Sequence, residues 1–388
     1  MKIAFSLLIV IHGLVHFTGF VKAFQLAQIK ELSAVISRPV GVLWLMAGLL
    51  LISAGILFWQ KINFWWVVGI TGLVISQILI ISFWADAKWG TVPNIVLLIT
   101  IITAFSAQLF DRKIDNERSL LFNRSEAQNA EIVQQEDLNE LPEPVQKWLK
   151  SAGVIGKKKI STVWLKQHAK MKLKPEQTKW LDATAEQFFT VNPPGFIWTV
   201  DLKMSPLIKI KGRDKFENGK GQMLIKMHSL FNVVNESGEK IDEGTLQRYL
   251  GEIVWFPSAA LSPDIKWEKL DNSSARATLE VAGTTGSGTF YFDENGDLEK
   301  FTALRFRGNE PGAKRHEWII TVKETKNLNG YRIPVKMEST WMLEDGPWTW
   351  LDLEITEIEY NGPGISKVAD LRTSSLSTES KAQAVQMP

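Results

Sequence analysis

Hydrophobic positions divide the chain near residue 110. Before it, four almost unbroken apolar runs stand at Ile3–Phe24, Val40–Trp59, Phe64–Trp84 and Pro93–Phe110. Each approaches the ~20 residues an α-helix needs to cross ~30 Å of hydrocarbon. Polar punctuation separates them at Lys30-Glu31, Ser37-Arg38-Pro39, Lys61 to Asn63 and Asp86 to Lys88. Trp59, Trp65, Trp66, Trp84 and Trp89 fall at the expected ends, where amphipathic rings collect at a membrane interface. The first run is long, ends at Lys22 and lacks an A-x-A-like cleavage site, so it reads as a retained span. Gly41, Gly48 and Gly55 recur every seventh position, and Gly72 and Ser76 form a small-xxx-small pair. Small residues let helix backbones approach in lipid, so the pattern predicts a compact four-helix bundle.

Beyond residue 110 the pattern changes twice. Residues 111–140 are polar without a clear apolar period and read as a linker or surface helix. Leu141–Val154 has the period of a short amphipathic helix, with Pro144 in its first turn. The period then falls to two. Strand candidates are Ser161–Leu173, Trp180–Val191, Phe196–Met204, Leu207–Phe216 and Gly221–Asn235, then Ile265–Leu270, Ala275–Val281, Gly286–Asp293, Glu299–Arg307, Glu317–Thr325, Tyr331–Leu343 and Trp348–Tyr360. Asn218-Gly219, Asn295-Gly296, Asn329-Gly330 and Asp345-Gly346 supply the positive φ values that two-residue hairpins demand. A run of hairpins is an antiparallel meander, and a sheet of roughly ten to twelve strands must curl.

One helical stretch interrupts the strands, Asp242–Phe256, with Asp242 as candidate N-cap and Pro257 as its stop. At 100° per residue, Leu246, Leu250 and Ile253 share one face, and Arg248, Glu252 and Trp255 share the opposite one. The predicted fold is α+β: a four-helix transmembrane bundle followed by a large curved antiparallel sheet, a half-barrel, with a helical plug. The expected division is a bundle over 1–110, a linker over 111–140, a β-rich domain over 141–362 and a disordered tail over 363–388.

Composition narrows the chemistry. A net charge of +2 and the lack of a basic patch interleaved with aromatics argue against nucleic acid. There are no cysteines, which removes disulfides, thiolate metal sites and thiol nucleophiles. No GxSxG, HExxH or P-loop occurs, and Gly283–Gly288 joins two strands where a phosphate cradle would need a helix. No catalytic residue, metal or cofactor is therefore assigned. Charges in the strands, among them Lys209, Lys211, Arg213-Asp214, Arg305 and Arg307, read as the solvated side of a sheet. In the apolar part, His12 and His16 lie four apart on one helix face and Gln77 lies mid-span. Ionisable groups there are costly and so become functional candidates. Lys2, Lys61, Arg112, Lys113, Arg118 and Arg124 outnumber Lys22, Lys30, Arg38 and Lys88. That excess places both ends of the spans and the β domain in the cytoplasm by the positive-inside rule.

Several segments, LPEPVQKWLKSAGV, NPPGFIWTVDL, GRDKFENGKGQMLIKM, RYLGEIVWFPSAAL and YRIPVKMESTWMLEDG, resemble an uncharacterised bacterial membrane-protein family of unknown function. The resemblance extends to about Gly362 and implies no catalytic residues. The architecture is similar to lipoprotein-carrier half-barrels, whose concave face shelters acyl chains. That similarity favours an extracytoplasmic domain, against the charge count. The four-span part resembles small quinone-linked subunits of the DoxX type. The expected function is a membrane-anchored binding protein for a lipid, acyl chain or lipidated protein. Its lining would be Trp255, Phe256, Trp198, Phe196 and Trp341, with Arg248 and Glu252 as polar handles. Two alternatives stand beside it: redox or proton handling through His12 and His16, and a structural protein that recruits a protein partner.

Overall fold

The computed structural model describes residues 2–125, 131–205 and 208–362. The expected tail 363–388, positions 126–130 of the expected linker, and Leu207 at the head of one strand candidate lie outside the described residues. The chain divides into two compact units, Met1–Phe110 and Asp111–Pro388.

The first unit holds α1 (Lys2–Ala23), α2 (Arg38–Trp59), α3 (Trp65–Ser82), a short α4 (Trp84–Ala87) and the start of α5 (Thr91–Arg124). Four helical segments are long and apolar enough to cross a membrane: Lys2–Ala23, Arg38–Trp59, Trp65–Ser82 and Trp84–Arg124. Leu7, Ile11, Ile81 and Ile99 are exposed, while Ile9, Leu51 and Leu97 are buried. A Cβ on Gly48 would stand 2.7 Å from the Gly13 carbonyl oxygen, so α1 and α2 meet backbone to backbone there, as small residues permit.

The second unit is built on one antiparallel sheet. Its strands are β1 (Thr162–Met171), β2 (Leu181–Thr190), β3 (Gly195–Lys203), β4 (Lys209–Glu217), β5 (Lys220–Met227), β6 (Phe231–Ser237), β7 (Ile265–Lys269), β8 (Ser274–Val281), β9 (Thr284–Phe292), β10 (Leu298–Phe306), β11 (Arg315–Leu328), β12 (Tyr331–Leu343) and β13 (Gly346–Tyr360). Two helices accompany them, α6 (Glu143–Ala152) and α7 (Glu239–Glu252). The sheet has 13 strands, in the order β6-β5-β4-β3-β2-β1-β13-β12-β11-β10-β9-β8-β7. The count exceeds the expected ten to twelve because Gly221–Asn235 is not one strand. His228 (φ 54°) and Ser229 (φ 57°) turn the chain left-handed between β5 and β6. Neither residue type signals such a turn as glycine or asparagine would.

That order explains the helix. The chain lays down β1 to β6 outward, crosses to the far edge through α7, and returns inward until β13 pairs with β1, with Val163 opposite Tyr360. A helix joining the two edges must cross one face. β5 and β9 lie nine positions apart in the sheet, about 43 Å if it were flat at ~4.8 Å per strand. Yet α7 packs against both, so the sheet is wrapped around the helix as a half-barrel. The curled ends touch: the Thr284 hydroxyl donates to the Gly219 carbonyl at 2.8 Å, and the Asn309 amide donates to Glu236 at 2.7 Å.

Side chains fix how α7 sits. Leu246, Leu250 and Ile253 are fully buried. Asp242 is not the N-cap, since the helix begins a turn earlier at Glu239. Its buried carboxylate instead accepts the Gly221 backbone N–H at 2.8 Å and the Lys220 ammonium at 2.9 Å, pinning the first turn to β5. Past Glu252 the chain tightens to a 3₁₀ turn over Ile253–Trp255, and Phe256 leaves the helix ahead of Pro257.

The opposite face of the sheet is not bare either. The stretch expected as a linker or surface helix is helical to Arg124, and its second-unit part covers one end of that face. Arg118 donates to Glu186 at 2.8 Å and to the Thr199 hydroxyl at 3.1 Å, and Phe122 meets Phe188 edge-on at 5.7 Å. Arg213, expected in solvent, is fully buried with its Nε 3.1 Å from Glu117, and Lys211 pairs with Asp111. The covering helix is the reason for that correction.

Candidate functional site

Between α7 and the concave face lies a cavity of about 490 Å³. It runs from a buried floor, which includes Trp255, Met337 and Leu353, to an exposed rim at Arg307, Gly308 and Glu310. Tryptophans dominate its walls: Trp198, Trp255, Trp318, Trp341, Trp348 and Trp350 all line it. Register places three in one row. Trp318 on β11 faces Trp341 on β12, and Trp341 faces Trp348 on β13.

The polar part of the wall is centred on Arg248. Its guanidinium donates to Asp214 and to Glu252, both at 2.8 Å, and lies over Trp198 at 4.7 Å and Phe196 at 5.1 Å. Glu252 also accepts the Gln187 amide at 2.8 Å, and Trp198 donates its indole N–H to Gln167 at 2.8 Å. Burial pushes the carboxyls of Asp214 and Glu252 above their ordinary range, against the opposing pull of Arg248. Burial lowers Arg248 in turn, but the charges of Glu252 and Asp214 outweigh it and hold the guanidinium above its usual value. Glu252 and Asp214 thus share Arg248 as their hydrogen-bonded cation.

Arg305 stands apart from this pairing. It lies over Trp318 at 4.1 Å and Trp341 at 5.6 Å, and makes no hydrogen bond or close ion pair among the described residues. Burial and the nearby Arg248 pull it down to about 9 against the opposing charges of Glu252, Asp214 and Glu243, which leaves it charged at neutral pH. Gly244 on α7 makes room for it, because a Cβ there would meet its Nη2 at 3.3 Å.

Five of the residues expected at a ligand site meet at this cavity: Trp198, Arg248, Glu252, Trp255 and Trp341. Two do not line it. Phe196 is buried beneath the Arg248 guanidinium, and Phe256 turns into the core against Phe189 at 4.7 Å and Tyr249 at 5.8 Å. The 3₁₀ turn rotates Phe256 away from the direction that a continued α-helix would give. Asp214 and Arg305 correct the sequence reading in the other sense, since both line the cavity where solvated charge was expected. Trp318, Trp348 and Trp350 were missed as lining. For the two on β13 the signal was the alternation of Trp348-Thr349-Trp350, which aims both rings at one face of the strand.

In the first unit, His12, His16 and Gln77 belong to a buried polar network. The His12 Nε2 lies 3.0 Å from the Asn94 side-chain Oδ1, and the Asn94 side-chain amide N–H groups donate to Ser76 at 2.9 Å and Gln77 at 3.0 Å. His16 Nδ1 lies 2.9 Å from the His12 carbonyl oxygen, one turn back on α1. The network ties α1, α3 and α5 together, as polar side chains do between helices in lipid. Among the described residues no group of three His, Cys, Asp or Glu side chains is placed to hold a metal ion.

Four apolar helices followed by a curled antiparallel sheet, closed on a helix around a tryptophan-walled chamber, define an α+β half-barrel protein with a concave pocket. The chain belongs to DUF6544, a family of unknown function, whose model matches residues 131–353. Among solved structures it is similar to a LolA superfamily protein from Nitrosomonas europaea, with 10% identity and a TM-score of 0.28, over 56% of this chain and 92% of that chain. No curated protein matches it.

Proposed function

We propose that this protein is a membrane-anchored binding protein whose half-barrel takes an apolar or amphipathic ligand, a lipid or the acyl chain of a lipidated protein. The observation that carries the reading is the cavity itself. At about 490 Å³, and walled by six tryptophans with Met337, Leu351 and Leu353, it falls in the ~300–1,000 Å³ range of mostly apolar small-molecule sites. A sheet whose concave face served packing alone would be filled to the ~0.75 density of protein interiors. The four apolar helices would hold the pocket close to its source of ligand. Charge flanking those helices favours a cytoplasmic pocket.

Native mass spectrometry of the full chain, extracted in mild detergent, tests the reading. A co-purified lipid or added acyl-chain ligand should appear as a bound mass in the wild-type protein. It should disappear from Met337→Trp, which fills the floor. Protein that stays free of any apolar molecule, even after incubation with lipid, would overturn it.

A further inference from the structure

The hydrogen-bond inventory of the cavity is lopsided. Its buried carboxylates, Asp214 and Glu252, are engaged by Arg248 and Gln187. Its donors are not all engaged. The indole N–H groups of Trp255, Trp348 and Trp350 and the Nε–H of Arg305 are buried without a hydrogen-bond partner among the described residues, and all four residues line the cavity. Trp255 is only 1% exposed. Two other lining indoles are satisfied, Trp198 by Gln167 and Trp318 by the Ser339 hydroxyl at 2.6 Å, so the walls can supply acceptors where the fold uses them. Indole and guanidinium are donors with no acceptor capacity. Leaving such buried groups unpaired is costly, and an occupant rich in acceptor oxygens removes that cost.

We infer that the occupant carries an anionic oxygen head group, a carboxylate or phosphate, seated against Arg305 and the unpaired indole N–H groups, with its alkyl chain over the tryptophan and aliphatic wall. The inference rests on the binding reading above. Arg305 is the group suited to the head because no carboxylate stands within salt-bridge distance of it among the described residues, and Glu252, Asp214 and Glu243 act on it only from farther off. The other charges around the cavity are occupied or lie at the rim. On α7, Glu243 is held by Arg315, and Arg248 and Glu252 hold each other. On β4, Asp214 is held by Arg248. On β12, Glu338 is held by Lys323 at 2.9 Å. Just past β10, Arg307 lies over Trp348 at 5.0 Å and adds a second cation to the same tryptophan row. Lys240, Glu236 and Glu310 line the cavity near that rim.

Titration of the full chain in nanodiscs with four ligands of equal chain length tests the inference: dodecanoate, dodecyl phosphate, 1-dodecanol and dodecylamine. The wild-type protein should bind at least one of the two anions about tenfold or more tighter than 1-dodecanol, with dodecylamine weakest. Preference for dodecanoate points to a free fatty acid, and preference for dodecyl phosphate to a phospholipid head group. Arg305→Gln should bring the anion down to the affinity of 1-dodecanol without weakening 1-dodecanol, and Arg305→Lys should keep part of the difference. Trp348→Phe keeps the ring but deletes its N–H, and should weaken the anion alone, so a misfolded Arg305→Gln would not leave the question open. Equal affinity for dodecanoate, dodecyl phosphate and 1-dodecanol overturns the anionic head group and leaves the binding reading standing. No binding of any of the four overturns both.

Discussion

Arg248 is the cation that two buried carboxylates hold directly, with Arg305 acting on both from farther off, and this decides what its loss would do. Its side chain is 16% exposed, those of Asp214 and Glu252 15% and 8%, so Arg248→Ala leaves two largely buried acids without a hydrogen-bonded cation. Removing one partner of a buried pair costs about 3–5 kcal/mol, and the melting temperature of Arg248→Ala should fall about as far as that of Leu250→Ala. The latter deletes buried methyl groups at a cost of about 2–5 kcal/mol. A melt close to wild type for Arg248→Ala would mean the two carboxylates are solvated. Arg305 gives a second expectation, on pH. Burial and Arg248 pull its guanidinium down, but it stays charged across neutral pH, so the group that titrates is the carboxyl of the ligand. Affinity for dodecanoate should therefore be level across neutral pH and fall below about pH 5, where a carboxylate takes up its proton. Affinity for 1-dodecanol should not change. A titration series in each ligand checks it.

At the scale of elements, the seat of α7 depends on two glycines in the sheet. A Cβ on Gly221 would stand 2.4 Å from the Thr245 hydroxyl and 2.7 Å from the Ile241 carbonyl oxygen, and one on Gly286 would stand 3.1 Å from Leu246. The contact at Gly221 involves helix backbone, which cannot rotate away. Gly221→Ala should destabilise the domain by about 1–3 kcal/mol, as overpacking does, and hydrogen exchange should quicken in α7 before β1 and β2; exchange unchanged in α7 would contradict it. The angular split of α7 was legible beforehand, because three apolar and three amphipathic residues 180° apart require two different surroundings. Its limits were not legible. Asp242 has the chemistry of an N-cap, yet tertiary contact with Gly221 and Lys220 claimed its carboxylate. The turn at His228 and Ser229 carries no glycine, and Arg213 alternates as a solvent-facing residue until α5 is seen to cover it. For Asp242 and Arg213, what sequence could not reveal was set by an element distant in the chain.

For the molecule as a whole, the four apolar segments and the sheet order carry separate expectations. Were all four apolar segments to cross a membrane, the even number of crossings would put reporter fusions after Lys61 and after Arg124 on the same side, and fusions after Arg38 on the other. Disagreement between the first two would remove one crossing. The sheet order bears on synthesis. Val163 meets its partner Tyr360 only across the seam between the first strand and the last. At ~5–20 residues per second, a ribosome needs on the order of 10–40 s to make the intervening stretch. Throughout that interval the edge of β1 is an open template, and the concave face gains its helix only once residue 252 has been made. The nascent chain is therefore most vulnerable to aggregation late in translation, and the final strand, not the first, seals it.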